Sequence, residues 1–257
     1  MSTFSRLNKV SRRINLALIG PPGSGKGSYG RFLADYFQIP LVTVSDVLRS
    51  QKESNHQLHA SLGQLVDDSV VSQAIFDHLV ERQEREGYNR GYILDGFPRT
   101  LTQIDLMNSI WSTHLRIQAA VWLTVPDTVC QIKLLGRRIC IKCGHHWNIA
   151  SVNWNGWVVP ANDDYRNKCP QIMLGEPCHP ERDWTCRSDD TPELIPKRLR
   201  LYHEHMDPIV QHFQNQDSLF SFAPMKGFED VPILQSSLKM WLKEKKLLEE
   251  DGQQGKN

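Results

Sequence analysis

Ile14-Asn15-Leu16-Ala17-Leu18-Ile19 runs straight into Gly20-Pro21-Pro22-Gly23-Ser24-Gly25-Lys26-Gly27-Ser28, and a helical pattern through Phe32, Leu33, Tyr36 and Phe37 follows. A short, continuous apolar run suits a strand buried in a parallel sheet. Glycines let the chain curl so that successive N–H groups point inward, and the next helix adds the positive end of its dipole. The spacing is GxxxxGK between strand and helix, so Gly23, Ser24, Gly25, Lys26, Gly27 and Ser28 read as a cradle for phosphate, with Lys26 as its point charge. Position 27 is Gly where such loops usually offer Mg²⁺ a hydroxyl, and Ser28 carries the hydroxyl one residue later. Mg²⁺ tolerates phosphate oxygens and water as ligands. Asp95, ending another apolar run, is then either the carboxylate for those waters or a turn cap.

Outward from this turn the pattern repeats. Leu41–Val44, Gly91–Asp95, Ala119–Leu123 and Leu219–Ala223 read as strands. Helical periodicity lies between them, through residues 45–62, from Val70 to Gly87, around Ile104–Ile110, from Pro126 to Leu135, from Pro192 to Ile209 and over Val231–Leu242. Strands alternating with helices predict an α/β fold, a three-layer arrangement of one parallel sheet covered on both faces. From Arg137 to about Asp190 the pattern breaks. Five of the six cysteines fall between positions 140 and 186, with Trp147, Trp154, Trp157 and Trp184 among them. This stretch reads as a small inserted lobe of a few short strands.

Composition excludes several classes. Of 257 residues 40% are apolar and 23% charged, as in a globular protein. No stretch approaches the ~20 apolar residues that span a bilayer, so no membrane association is expected. Thirty basic residues against 29 acidic ones leave a net charge of +1, which gives no bulk attraction to nucleic acid. Residues 1–13 hold four basic side chains, and the first acid is Asp35. Phe4, Leu7, Val10 and Ile14 keep a helical period there, which fits either a mitochondrial targeting segment or a basic frayed terminus. No secretory leader is read, so the clustered thiols read first as metal ligands or reduced cysteines.

The cradle GPPGSGKGS, SDVLR (45–49), GYILDGFPRT (91–100), GRR (136–138) and RSDDTPELIPKRL (187–199) together resemble the adenylate kinase family, in the family's order, over residues 14–242. The resemblance implies a P-loop kinase core (14–42, 73–136 and 191–257), a small helical AMP-binding lobe (43–72), and an inserted long lid (137–190) behind the basic extension 1–13. It implies a monomer that transfers the terminal phosphoryl group reversibly from MgATP to AMP, giving two ADP. Such transfer needs in-line phosphates, excluded water and neutralised charge, for which guanidinium forks are suited. By resemblance Lys26, Arg99, Arg137, Arg187 and Arg198 are catalytic. Arg137 and Arg187 clamp ATP phosphates, Arg198 reaches the transferring group, and Lys133 and Trp147 approach the donor base. Trp147 is equally readable as packed inside the lobe. Arg49, Gly96, Phe97, Arg99, Arg187 and Arg198 serve AMP. Gln64, Leu65 and Val66 line its base, and the Gln103 amide reads the adenine edge. Asp189 and Asp190 hinge the lid or cap the following helix.

Four positions depart from the family pattern. Val44 stands for a Thr, Ser45 for a Gly, Lys133 for an Arg that stacks on the donor base, and Glu229 near a family lysine. They leave open a GTP:AMP or broad-donor kinase, and a nucleotide-binding sensor without turnover is the reading from another class. Cys140-Ile141-Lys142-Cys143-Gly144 is half of a zinc knuckle. Cys169 and Cys178 are candidates for the other half, with His145, His146, His179 and Cys186 as further options and free buried thiols as the alternative. The compartment is read as mitochondrial or cytoplasmic, leaning to mitochondrial.

Overall fold

The computed structural model describes residues 13–54, 67–85, 87–164 and 178–248, with backbone alone over 51–54. Gln64, Leu65, Val66, Cys169 and the basic stretch 1–12 lie outside the described residues.

Five strands, β1 (Ile14–Ile19), β2 (Leu41–Thr43), β3 (Gly91–Asp95), β4 (Ala119–Leu123) and a fifth at Leu219–Phe222, form one sheet. That last strand is β10 in chain order, and the sheet order is β10-β4-β1-β3-β2. Every pair is parallel. The period of two along β1 divides its side chains between two cores. Leu16 and Leu18 pack with Leu33, Phe37, Leu234 and Leu238, from α1 (Lys26–Phe37) and a C-terminal helix at Val231–Glu244. Ala17 and Ile19 face the opposite way, with Ile75, Leu79, Ile104, Met107, Ile209 and Phe213. Those residues belong to α3 (Asp68–Arg82), α4 (Leu101–Ile110) and a long helix at Ile195–Asn215. α2 (Val44–Ser54) joins β2 to α3. The result is the three-layer α/β fold that the strand–helix alternation predicts.

One polar residue sits in the central strand. Asn15 is buried, yet its Nδ2 donates to the carbonyls of His114 and Arg116, both at 2.9 Å, and its backbone N–H donates to Gln118 Oε1. These bonds pin the start of β1 to the loop before β4 and satisfy the amide N–H groups, while the Asn15 Oδ1 is buried without a partner among the described residues.

The insertion follows α5 (Asp127–Leu135). β5 (Arg137–Cys140) pairs antiparallel with β6 (His146–Asn148) and with β9 (Trp184–Thr185), which follows a single-turn α6 (Pro180–Asp183). Between these lies a hairpin, β7 (Val152–Trp154) and β8 (Trp157–Val159), turned by Asn155 (φ 42°) and Gly156 (φ 84°). Asn-Gly with positive φ at both places is the favoured two-residue hairpin turn. The hairpin does not stand clear of the core. Val152 and Trp157 are buried with Val129, Cys130 and Leu134 of α5 and with Ile195 and Leu199 at the start of the long helix, here α7. The C-terminal helix at 231–244 is then α8.

Candidate active site

The loop between β1 and α1 has the shape its glycines allow. Gly23 has φ +90°, and a Cβ there would come within 2.6 Å of the Cys130 carbonyl oxygen. Gly25, at φ 87°, opens α1. Gly27 faces Asp95, whose Oδ2 would lie 3.8 Å from an added Cβ. Lys26 Nζ curls back over the loop and donates to the carbonyls of Gly20 (2.6 Å) and Pro21 (3.0 Å). Burial pushes its pKa down to about 8, against the pull of Asp95, while the positive charges of Arg99 and Arg137 push the same way as burial. Ser24 Oγ is buried without a hydrogen-bond partner among the described residues. A glycine-shaped loop at the start of α1, with a buried lysine and an unpartnered hydroxyl, is set to receive an anion.

Asp95 ends β3 beside this lysine. Burial raises its carboxyl above the ordinary value, and Lys26, Arg99 and Arg31 counter that. The chain then turns through Gly96, Phe97 and Pro98. Phe97 is fully buried and stacks on Trp111, with centroids 5.3 Å apart and planes at 10°. That anchor presents Arg99, whose Nε donates to the Gly96 carbonyl at 2.9 Å. Thr100 caps α4, accepting from the Gln103 backbone N–H. The Gln103 side chain lies beneath, its Oε1 accepting from the Arg99 backbone N–H at 2.7 Å.

Three more arginines gather on two aspartates. Arg137 makes a bidentate pair with Asp190, Nε to Oδ2 and an Nη to Oδ1, both at 2.6 Å. Arg198 donates to the same Oδ1 at 2.7 Å and to the Asp189 carbonyl at 2.8 Å. Arg187 pairs with both oxygens of Asp189 at 2.9 Å. Burial works against the Asp189 carboxylate, but the hydrogen bond from Arg187 and the charge of Arg198 hold its pKa below the usual range. Neither aspartate caps α7, whose N-cap is Leu194, with Thr191 Oγ1 accepting from the Leu194 N–H. Arg99 feels the charge of Arg187 and Lys26 that of Arg137, so the two groups of cations lie within electrostatic reach of each other.

The remaining sequence candidates have these places. Arg49 is exposed and pairs with Asp46 at 3.0 Å. Ser28 lies in the first turn of α1, where Arg31 donates to its hydroxyl. Lys133 Nζ donates to the carbonyls of Ala150 (3.1 Å) and Pro160 (3.4 Å), tying α5 to the hairpin's two ends, and burial lowers its pKa to about 8. Trp147 is 1% exposed, stacked on Trp184 at 5.7 Å and 4.3 Å from His145. Beside it the ligand atoms of Cys140, Cys143 and Cys178 lie within 4.8 Å of one another, with Cys143 and Cys178 sulfurs 3.5 Å apart. Three converging thiols suit three corners of a tetrahedral zinc site. Sequence reading missed Asp68, which bonds Thr100 and Gln103, because an acid at a helix start reads first as a dipole partner.

Comparison with known proteins agrees with this geometry. A family model described as adenylate kinase matches residues 18–218. "Adenylate kinase" of Nitrosococcus oceani is 35% identical over 222 residues, 83% of this chain and 91% of that protein. "Adenylate kinase 1, chloroplastic" of Arabidopsis thaliana is 30% identical over 244 residues, covering 92% and 81%. "Probable adenylate kinase 6, chloroplastic" of Oryza sativa subsp. japonica is 30% identical over 234 residues, covering 89% and 79%. With a glycine cradle, its lysine and four arginines within electrostatic reach of one another, and with these relatives matched over most of their length, the chain belongs to the adenylate kinase family of phosphotransferases.

Proposed function

We propose that this chain transfers the terminal phosphoryl group of MgATP to AMP, reversibly, through the residues described above. The observation that carries the reading is the grouping of Lys26, Arg99, Arg137, Arg187 and Arg198 around Asp95, Asp189 and Asp190. The cradle and Lys26 hold the donor phosphates, and Arg99 holds the acceptor phosphate. Arg137, Arg187 and Arg198 leave the aspartates for phosphate oxygens, which offer the same bidentate geometry. No strong base is required, because the phosphate oxygens of AMP are already nucleophilic and positioning with charge neutralisation suffices. Mg²⁺ arriving with ATP would neutralise phosphate charge, held through water by Asp95. In this reading residues 43–72 form the acceptor lobe and 137–190 the lid, whose closure, with the 152–159 hairpin staying seated on α5 and α7, excludes water.

Finer assignments belong to the same proposal. Cys140, Cys143 and Cys178 hold a structural zinc that stiffens the lid and takes no part in the chemistry. The chain works as a monomer on small nucleotides. The basic residues 1–13 are an organelle-targeting segment, mitochondrial in our reading. Among the described residues no helix is long and apolar enough to cross a membrane.

A coupled assay with ATP, GTP, CTP and UTP against AMP, CMP, UMP and GMP tests this reading. ADP formation from ATP and AMP is the expected leading activity. Tight nucleotide binding without turnover would replace the enzyme with a sensor. Lys26→Ala and Arg99→Ala should each lower turnover by orders of magnitude with the fold intact.

A further inference from the structure

Asp68, the first residue of α3, takes two hydrogen bonds from the start of α4. Thr100 Oγ1 donates to its Oδ2 at 2.6 Å, and Gln103 Nε2 donates to its Oδ1 at 2.7 Å. The other end of the Gln103 amide is held as well, since Oε1 accepts from the Arg99 backbone N–H at 2.7 Å. Gln103 is buried, at 4% exposure. Neither flanking group can exchange its role, because a backbone N–H only donates and a carboxylate only accepts. A flipped amide would lose both bonds and set N–H against N–H on one flank and oxygen against oxygen on the other.

A primary amide has two N–H groups and two strong lone-pair directions. Here one of each is used inside the protein, and one of each remains. We propose that Asp68, with the Arg99 N–H, locks the Gln103 amide in a single orientation and thereby makes Asp68 a specificity-determining residue for the acceptor base. The proposal rests on the reading of Gln103 as the group that meets that base. A locked amide offers its free N–H and its free lone pair in fixed places. Adenine answers with N1 as acceptor and the 6-amino group as donor. A 6-oxopurine presents the reverse, N1–H as donor and O6 as acceptor, and fits only a flipped amide. Asp68 therefore selects 6-aminopurines by position, without touching the nucleotide.

The first test needs no substitution. The full chain, saturated with MgATP, is assayed with AMP, IMP and purine riboside monophosphate, which keeps N1 as acceptor and has nothing at C6. A locked amide makes purine riboside monophosphate the better of the two analogues by kcat/KM, because it keeps one bond while IMP meets N–H with N–H. A freely turning amide reverses that order, since IMP would then make two bonds, and that result overturns the proposal. In Asp68→Asn one flank can present either an N–H or a carbonyl while the Arg99 N–H still only donates, so the preference for AMP over IMP should shrink by about tenfold without vanishing, with KM for ATP unchanged. A merely structural role would lower turnover with all acceptors alike and leave the AMP-to-IMP ratio as it was, which also overturns it. Gln103→Leu separates the two layers. If it leaves the ratio untouched, the base reading fails and the lock with it. If it abolishes the preference while Asp68→Asn keeps it, the lock alone is wrong.

Discussion

Arg137 grips Asp190 with two parallel bonds of 2.6 Å, and the Asp190 side chain is only 1% exposed. Arg198 takes the same carboxylate at 2.7 Å, so one buried anion holds two cations that the proposed chemistry needs. Removing that anion leaves Arg137 without its carboxylate in a partly buried place, while Arg198 keeps only Asp189. Asp190→Ala should therefore cost about 3 kcal/mol of folding stability. Urea unfolding of the two proteins checks it, and an unchanged midpoint would contradict the role.

Lys26 gives a pH signature. Its pKa is lowered from 10.5 to about 8, chiefly by burial, so the nucleotide-free protein loses this charge as pH rises through about 8. Beside bound phosphate the ammonium is favoured and stays protonated. ATP affinity should accordingly fall as pH rises above 8, and binding at pH 8 should take up about half a proton. Calorimetric titration in buffers of different ionisation heat measures that uptake.

His78 predicts acid sensitivity. It lies half-buried on α3, 3.4 Å from the Tyr88 hydroxyl, with a pKa pushed down to about 4 by burial, then by Arg82 and Arg85 against Glu81. Between pH 6.5 and 4 the unfolded chain binds a proton there that the folded chain refuses. Stability therefore falls as pH drops through this window. His78→Gln, which cannot titrate, should show a smaller loss between pH 7 and pH 5 in denaturant melts. Parallel losses in the two proteins would refute the assignment.

The thiol triad predicts about one zinc per chain after metal-replete expression. Elemental analysis checks the content, and Cys143→Ser should lower it. Chelation should alter the fluorescence of the stacked Trp147 and Trp184 beside the thiols while the parallel-sheet core stays folded. Metal-free protein from metal-replete cells would remove the site.

Much of this molecule is legible in the sequence because its signals are local. The cradle declares itself through GxxxxGK after an apolar run, and β1, β3 and β4 are short, mostly apolar segments that alternate with helical ones, as in a parallel sheet. The gathering of Arg99, Arg137, Arg187 and Arg198 is not local. It could be anticipated only because each sits in a motif resembling one family. Other features escaped. Asn155-Gly156 between Trp154 and Trp157 is a readable hairpin signal, yet nothing in it tells that Trp157 would bury against α5 and α7. In the sequence Asp68 is an acid like any other at a helix start, and only the fold brings Thr100 and Gln103, more than thirty residues away, onto its two oxygens. Lys133 likewise meets Ala150 and Pro160 through a tertiary approach that residue spacing does not encode.

The hairpin seated on α5 and α7 changes how this insertion should come apart. Val152 and Trp157 are shared with the body of the protein, so heat cannot release them without also stripping Leu134 and Leu199 of their neighbours. Differential scanning calorimetry should then record the hairpin and the body melting in one cooperative peak. Limited proteolysis should spare the Trp154–Trp157 turn for as long as the body stays folded.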